Sequence, residues 1–133
     1  MDLRWGYNNV RIKEGDEWKA AFSTSERSFE PTVIFFGLTN SPLTFQVMMN
    51  DLLRDLVVEE KVVVFIGDVM VATKTEEGHD EIMKEVLRRL EENNLFVKPE
   101  KYVWKVREVG SLGVIIGEDG VRIEKEKVQG VIE

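Results

Sequence analysis

A short acidic hairpin tip is the part of this sequence best suited to chemistry. In the tetrapeptide Phe65-Ile66-Gly67-Asp68, the last two residues separate two apolar runs, at 62–66 and 69–73, that are rich in β-branched residues. Each run is too short for a helix, so the pattern predicts a β-hairpin whose turn is Gly67-Asp68. A carboxylate at such a tip is a hard oxygen ligand of the kind that Mg²⁺ requires. Taken alone, the pattern still favours an ordinary Gly-Asp turn.

Further motifs surround this hairpin in a fixed order along almost the whole chain. They are Asp2-Leu3-Arg4-Trp5-Gly6-Tyr7, the segment 11–22, Phe35-Phe36-Gly37-Leu38 with Thr44-Phe45-Gln46, Lys98-Pro99-Glu100-Lys101, and Ser111-Leu112-Gly113. Each motif is weak by itself, but the set resembles the reverse transcriptase, an RNA-directed DNA polymerase, of gypsy-type long-terminal-repeat retrotransposons. The resemblance covers the palm and part of the fingers.

The resemblance implies two-metal catalysis of nucleotide addition, in which three carboxylates hold two Mg²⁺ ions. One carboxylate stands on the first strand and two stand side by side at the hairpin tip. Asp2 matches the first position and Asp68 matches the second tip position, so both are candidate catalytic and metal-binding residues. Gly67 occupies the remaining position. Because glycine offers no side-chain oxygen, we expect weak or absent Mg²⁺ binding and an impaired or inactive polymerase.

The sequence matches the family more fully at the substrate-handling positions than at the metal-binding positions. By resemblance, Tyr7 is the aromatic gate beneath the incoming sugar, and Phe36 and Gly37 lie beside the incoming base. From the residues alone, a solvent-facing glutamine describes Gln46 at least as well, and an ordinary surface lysine describes Lys98 better. The resemblance implies nucleotide-binding roles for Leu3, Tyr7, Phe36, Gly37 and Lys98, and template or primer roles for Gln46, Leu112 and Gly113.

The elements that must position these residues follow a split βαβ order. We expect a strand at 3–12, a hairpin formed by 18–23 and 29–36, and a helix that starts at Ser41-Pro42 and ends near Val57-Val58. The central hairpin follows, then a helix capped by Thr75, with an apolar stripe through Ile82, Met83, Val86, Leu87 and Leu90, and then short strands at 95–97, 109–116 and 121–123. This order predicts an α+β fold, with an antiparallel sheet and two helices on one face, like a polymerase palm.

One domain is expected over 1–133, with the palm at about 1–12 and 37–133 and a partial fingers hairpin at about 13–36. Within this assignment the thumb, the N-terminal fingers and any RNase H domain are absent. In this topology the first strand lies beside the central hairpin, so Asp2 should meet the Gly67-Asp68 turn.

Composition limits the partners. The chain has 18 basic and 25 acidic residues, a net charge of −7 and no cysteine. This charge has the wrong sign for a free-standing nucleic-acid binder, so binding of an RNA or DNA template-primer and of a deoxynucleoside triphosphate should be local and weak. We expect no membrane span, no disulfide framework and an intracellular location, cytoplasmic or nuclear.

Two other interpretations remain open. The chain could be a non-catalytic structural or interaction module built on a decayed or engineered palm, or it could retain salt-sensitive binding of single strands without chemistry. Uncovered sheet edges would also permit a homodimer.

Overall fold

The computed structural model describes residues 1–132, which divide into two compact units, Met1–Tyr102 and a second unit that begins at Val103. The first unit carries the elements that position the candidate site. In chain order these are β1 (Leu3–Arg4), β2 (Phe22–Ser23), β3 (Ser28–Phe29), α1 (Ser41–Leu52), α2 (Arg54–Val58), β4 (Val62–Phe65), β5 (Asp68–Val71), α3 (Glu76–Glu92) and β6 (Phe96–Val97), with 3-10 helices at Gly6–Asn9, Glu17–Ala20 and Pro99–Lys101.

The sheet of the first unit has the spatial order β4-β5-β1-β6. Strands β4 and β5 form an antiparallel hairpin, and β1 pairs antiparallel with β6. An antiparallel bridge between Asp2 and Asp68 joins these two ladders. The predicted split βαβ arrangement is confirmed, and the first strand lies beside the central hairpin as expected.

Both long helices cover the same face of this sheet. Val62 and Val69 on the hairpin and Leu3 on β1 are buried against side chains of α1 and α3, mainly Phe45, Met49, Val86 and Leu90. The alternate residues Val63, Phe65 and Phe96 are about half exposed on the opposite face. Because successive strand residues point to opposite faces, one face belongs to the core and the other is open.

The predicted strand at 3–12 is wrong beyond Arg4. Trp5 has a φ of 50°, in the left-handed region, and the chain then forms the 3-10 helix Gly6–Asn9. A Cβ at Gly6 would stand 2.6 Å from the Phe45 ring, so glycine is required for this close approach. Farther on, residues 10–12 pair with residues 32–34 through a bridge between Arg11 and Val33.

The predicted hairpin at 18–36 is shorter than expected. Its first half is the 3-10 helix Glu17–Ala20, and only Phe22–Ser23 pairs with Ser28–Phe29. Across this exposed hairpin the Phe22 and Phe29 rings stack with centroids 5.6 Å apart, and the Ser23 and Ser28 hydroxyls hydrogen-bond at 2.8 Å.

The helix signals are partly confirmed. Thr75 caps α3, because its side chain accepts a hydrogen bond from the Gly78 N–H. Ser41 does not cap α1: Asn40 holds that position, and the buried Ser41 hydroxyl donates to the Phe35 carbonyl at 2.9 Å. The predicted single helix also breaks at Leu53 into α1 and α2.

Arg89 of α3 ties that helix to the α1–α2 segment. Its guanidinium donates to the Asp55 carboxylate, with Nη2 2.7 Å from Oδ2, and to the Leu52 carbonyl at 3.1 Å. The hydrogen bond from Arg89 lowers the pKa of Asp55 to about 2. Hydrogen bonds from Arg88 and Arg89 likewise lower the pKa of Glu85 to about 2.

The second unit is a three-stranded antiparallel sheet followed by a helix. Strands β7 (Glu108–Ser111), β8 (Val114–Gly117) and β9 (Gly120–Ile123) pair in that order, and α4 (Lys125–Ile132) follows. The predicted strand at 109–116 is therefore wrong, because Leu112 and Gly113, with φ of 53° and 80°, form a turn between two strands. The assignment of 1–133 to one domain stays a prediction.

None of the helices in residues 1–132 has the length and apolar character needed to cross a bilayer.

We predict that Met49→Ala lowers the free energy of unfolding by about 2–5 kcal/mol, because it opens a cavity beneath the hairpin at a fully buried position. Val47→Ala on the same helix removes a side chain that is 51% exposed and should change the value by less than about 0.5 kcal/mol. Urea unfolding of the two variants checks this. Equal losses would contradict the assignment of the buried face.

We predict that the protein loses stability as the pH falls from 4.5 towards 2, because the lowered pKa values of Asp55 and Glu85 make folding favour their ionised forms. This contribution is complete above the ordinary pKa values of 3.8 and 4.5, and protonation at lower pH removes it. In Arg89→Met, Asp55 loses its main partner and the pH dependence should be shallower. Urea unfolding at stepped pH measures it. Arg54→Met, which removes an arginine that is 75% exposed, is the control and should keep the original slope.

Candidate active site

Three charged side chains form a row across the open face of the first unit's sheet. Asp2 lies opposite Asp68 of β5 on one side. On its other side the register of Leu3 with Val97 places Asp2 opposite Lys98, whose N–H donates to the Asp2 carbonyl at 2.9 Å. Residues directly opposite one another share a face, so Asp2 has the Asp68 side chain on one side and the Lys98 side chain on the other.

Asp2 and Asp68 form the more closely spaced of the two kinds of antiparallel cross-strand pair. Leu3 N–H donates to the Gly67 carbonyl at 2.9 Å, and Val69 N–H donates to the Met1 carbonyl at 2.7 Å. These bonds flank Asp2 and Asp68, which therefore form a non-hydrogen-bonded pair, with an expected Cα separation of about 4.5 Å. The expectation that two aspartates remote in the chain meet at this hairpin is met by the geometry.

The hairpin tip differs by one residue from the prediction. Its turn is Ile66-Gly67, and Asp68 is the first residue of β5, paired with Phe65. Ile66 takes the left-handed conformation, with a φ of 53°, and Gly67 does not. A Cβ added at Gly67 would meet only the Asp2 Oδ1 atom, at 3.9 Å. A side chain at position 67 would thus fit and would start beside Asp2.

Lysine ammonium groups surround the Asp2 carboxylate. Its Oδ2 atom lies 3.3 Å from Lys98 Nζ and 3.5 Å from Lys101 Nζ. Sequence reasoning missed Lys101. The 3-10 helix Pro99–Lys101 brings Lys98 and Lys101 to the same side, and their spacing of three residues around Pro99 was the available signal. Asp68 Oδ1 lies 3.3 Å from the α-ammonium group of Met1.

These donors do not fit a pair of divalent ions. Among the side chains that the structure describes, no group of three or more histidine, cysteine, aspartate or glutamate residues is placed to hold a metal. Mg²⁺ prefers about six oxygen ligands in octahedral geometry, and this site offers two carboxylates, of which one already contacts two ammonium groups. The expected Mg²⁺ cofactor stays a prediction of the resemblance.

Of the residues expected to bind the nucleotide, Tyr7 and Phe36 are in contact, whereas Leu3 belongs to the core. Tyr7 is buried on the 3-10 helix, with its ring 4.7 Å from Phe36 and 5.3 Å from Phe45. Phe36 is 84% exposed above it, and Gly37, with a φ of 103°, has open space where a Cβ would be. The Leu3 side chain is buried in the core, so only its backbone faces the site.

Gln46 lies under the hairpin. Its Nε2 donates to the Val64 carbonyl and to Asn50 Oδ1, both at 3.0 Å, and its Oε1 accepts from the Ile66 N–H. The contact with a template that the resemblance implies stays a prediction. In this structure the Gln46 amide forms hydrogen bonds within the protein.

Leu112 and Gly113 form the β7–β8 turn of the second unit. Leu112 is 62% exposed, and Lys127 Nζ donates to its carbonyl at 3.4 Å. Their primer role stays a prediction.

The sequence profile described as "Reverse transcriptase (RNA-dependent DNA polymerase)" matches residues 1–116. The chain belongs to the reverse transcriptase family. This match, together with the relatives described next, confirms the resemblance to retrotransposon reverse transcriptases that the motifs indicated.

Curated relatives of this reverse transcriptase chain are transposon polyproteins. The retrovirus-related Pol polyprotein from transposon opus of Drosophila melanogaster is 34% identical over 133 residues, which are 100% of this chain and 13% of that polyprotein. The transposon Tf2-3 polyprotein of Schizosaccharomyces pombe is 30% identical over 133 residues, 10% of its length. The chain thus spans a small part of these relatives.

Solved reverse transcriptase structures have the same fold. The foamy viral protease-reverse transcriptase dRH in complex with double-stranded DNA matches 99% of this chain and 23% of its own, with a TM-score of 0.88 and 26% identity. The same viral protein in complex with an RNA/DNA hybrid matches 99% of this chain and 18% of its own, with a TM-score of 0.86 and 26% identity. The palm-like α+β fold is confirmed.

We predict that Lys98→Met lowers the free energy of unfolding by about 0.2–1 kcal/mol, because Lys98 offsets the repulsion between two aspartates in a close cross-strand pair. The loss should be larger at low ionic strength and smaller in an Asp2→Asn background. Urea unfolding at two salt concentrations measures it. Lys84→Met, at an exposed position of α3, should have little effect in either background.

Proposed function

We propose that this chain is the palm, with part of the fingers, of an RNA-directed DNA polymerase from a gypsy-type long-terminal-repeat retrotransposon, and that glycine at position 67 leaves its nucleotidyl transfer impaired or absent. One observation carries the proposal: the fold brings Asp2 and Asp68 together, and the position beside them that faces Asp2 has no side chain.

The chemistry of the family explains why this gap matters. Template-directed nucleotide addition uses two divalent ions to assist the attacking hydroxyl and the leaving pyrophosphate. Two unit charges 4 Å apart at an effective dielectric of 20 interact by about 4 kcal/mol, and each 1.36 kcal/mol of transition-state free energy is about tenfold in rate. Loss of one carboxylate from such a site is therefore consistent with a rate reduction of several orders of magnitude.

The surrounding cations support the same conclusion. Asp2 and Asp68 contribute two negative charges, and they face the Lys98 and Lys101 ammonium groups next to Asp2 and the Met1 α-ammonium group next to Asp68. Carboxylates whose charge is already balanced by ammonium groups attract divalent cations weakly. A third carboxylate at position 67 would make the site more negative by one charge, which favours binding of a divalent cation.

The substrates of the proposed enzyme are an RNA or DNA template-primer and a deoxynucleoside triphosphate. The foamy viral relatives were solved with double-stranded DNA and with an RNA/DNA hybrid, which supports nucleic acid as the partner class. The exposed Phe36 ring above Tyr7, with the open backbone at Gly37, is a suitable surface for the nucleotide. Because the chain has a net charge of −7, we expect it to bind nucleic acid weakly in isolation. We also expect an intracellular location.

A non-catalytic module is the second candidate function. The incomplete set of ligands favours it as much as it favours an impaired enzyme. In the described part of the chain, the outer strand β9 pairs only with β8, and its Val121 and Ile123 are more than 60% exposed, which would suit pairing with a second copy of the chain.

Replacing the missing ligand tests the proposal. Gly67→Asp should increase magnesium-dependent primer extension by at least about 100-fold over the unaltered chain, because it restores one carboxylate–cation interaction of several kcal/mol. Binding of Mn²⁺, followed by electron paramagnetic resonance, should tighten in parallel. Salt-dependent retention of the primer-template, measured on the same samples, shows that each variant holds its substrate.

Gly67→Asn is the matched control, since it adds the same side-chain shape without charge and should leave both activity and Mn²⁺ affinity low. Asp2→Asn combined with Gly67→Asp should abolish the gain. Tighter Mn²⁺ binding without extension would favour the non-catalytic module. The proposal fails if Gly67→Asp improves neither property, or if the unaltered chain extends primers as fast as Gly67→Asp.

A further inference from the structure

One side chain of α1 bonds to both arms of the hairpin tip. Gln46 donates from Nε2 to the Val64 carbonyl of β4 at 3.0 Å, and its Oε1 accepts from the N–H of Ile66 in the turn. One partner is an acceptor and the other a donor, so the amide satisfies both in a single orientation. Gln46 is separated in sequence from Val64 by 18 positions and from Ile66 by 20 positions.

The pairing of the hairpin explains why these two backbone groups are available. Val69 N–H donates to the Met1 carbonyl, so Val69 and its cross-strand partner Val64 do not bond to each other. The Val64 carbonyl therefore points out of the hairpin on its outer edge, towards α1. Ile66 lies in the turn, and its N–H has no place in the ladder. Partly buried polar groups of this kind need a partner.

The turn that Gln46 holds is strained. Ile66 has a φ of 53°, a conformation that is unfavourable for a β-branched residue and persists only where surrounding contacts enforce it. The Ile66 side chain packs against the core, and Gln46 fixes its N–H. The orientation of the next residue, Gly67, and the start of β5 at Asp68 both follow from this turn.

We propose that Gln46 is a positioning residue for the carboxylate site, and that its amide holds the Ile66-Gly67 turn so that position 67 and Asp68 face Asp2. The inference deepens the proposed function, on which its relevance to catalysis rests. It assigns Gln46 a task inside the protein, independent of any contact with a template. Loss of the amide should displace the tip from Asp2 while leaving α1 and the core in place.

The geometric test uses the unaltered chain and needs no activity. In a non-hydrogen-bonded antiparallel pair the two Hα atoms lie close together, so Asp2 and Asp68 should give a strong Hα–Hα cross-peak in nuclear magnetic resonance spectra. Gln46→Met, which keeps the length and removes both polar groups, should weaken this cross-peak. It should also speed exchange of the Ile66 amide by about 10-fold, the factor expected for one lost hydrogen bond.

Gln46→Glu separates the effects of the two hydrogen bonds, because it keeps the acceptor for the Ile66 N–H and removes the donor to the Val64 carbonyl. It should retain more protection at Ile66 than Gln46→Met. Asn50→Ala is the matched control, because Asn50 contacts the same Gln46 amide but not the hairpin. It should preserve the cross-peak and the exchange rate. Thermal melting of each variant shows that the comparison is made on folded protein.

The functional arm uses the Gly67→Asp background, in which Gln46→Met should weaken Mn²⁺ binding by about 10-fold and Asn50→Ala should not. If Gln46→Met leaves the cross-peak and the Ile66 exchange rate unchanged, the positioning role is wrong whatever the metal data show. If the tip moves but Gly67→Asp never binds Mn²⁺, the proposed function fails and the role of Gln46 in holding the tip stands. If the tip moves and Mn²⁺ affinity does not fall, the role for the carboxylate site is wrong.

Discussion

The register of β1 between β5 and β6 is the constraint on which the site depends. Asp2 and Leu3 are adjacent, and a slip of one residue would turn Leu3 to the open face and Asp2 into the core. Leu3 is buried beside Val69 and Leu90, whereas Asp2 lies on the solvent side with Lys98. Burial of an apolar side chain and the high cost of burying a carboxylate therefore favour the same register. The core, more than the charged row, sets which acidic residues meet.

Much of this arrangement could be predicted from the sequence because it follows from short-range patterns. The β-branched runs around Gly67 gave the central hairpin, and the element order placed the first strand beside it. The apolar stripe of α3 and the Thr75 cap were also recovered, since helical spacing and capping are local properties. Asp2 and Asp68 were paired on the basis of family topology, which no local pattern contains.

The features that the sequence did not reveal are those set by tertiary contacts. Trp5 and Ile66 take left-handed conformations that their residue types disfavour, so propensity predicted a longer first strand and a turn shifted by one residue. The Lys101 contact with Asp2 depends on a 3-10 helix near a proline, and the two bonds from Gln46 to the hairpin span a helix–strand interface. In each case a distant partner outweighs the local preference.

Glycine at position 67 also changes the balance between stability and chemistry. Like charges in close cross-strand positions oppose folding, and a third carboxylate beside Asp2 and Asp68 would add to that repulsion when no cation is bound. With glycine there, each of the two aspartates contacts an ammonium group, Asp2 those of Lys98 and Lys101 and Asp68 that of Met1. Groups that bind ions are commonly destabilising in the free protein, so losing one can make the fold easier to maintain. Under the proposed function, the glycine that weakens a cation site also relieves repulsion in the sheet that carries it.

Helix α1 connects the two halves of the candidate site. Phe45 packs its ring edge-on against Tyr7 and against the backbone at Gly6, which supports the 3-10 segment that carries Tyr7. Gln46, the next residue, bonds to the hairpin tip on the carboxylate side. Consecutive residues of a helix point about 100° apart, so one turn of α1 can reach two different elements at once. Because Phe45 is fully buried, the position of Gln46 along the hairpin is fixed by core packing. Core packing on the face that the helices cover therefore sets the geometry of the open face.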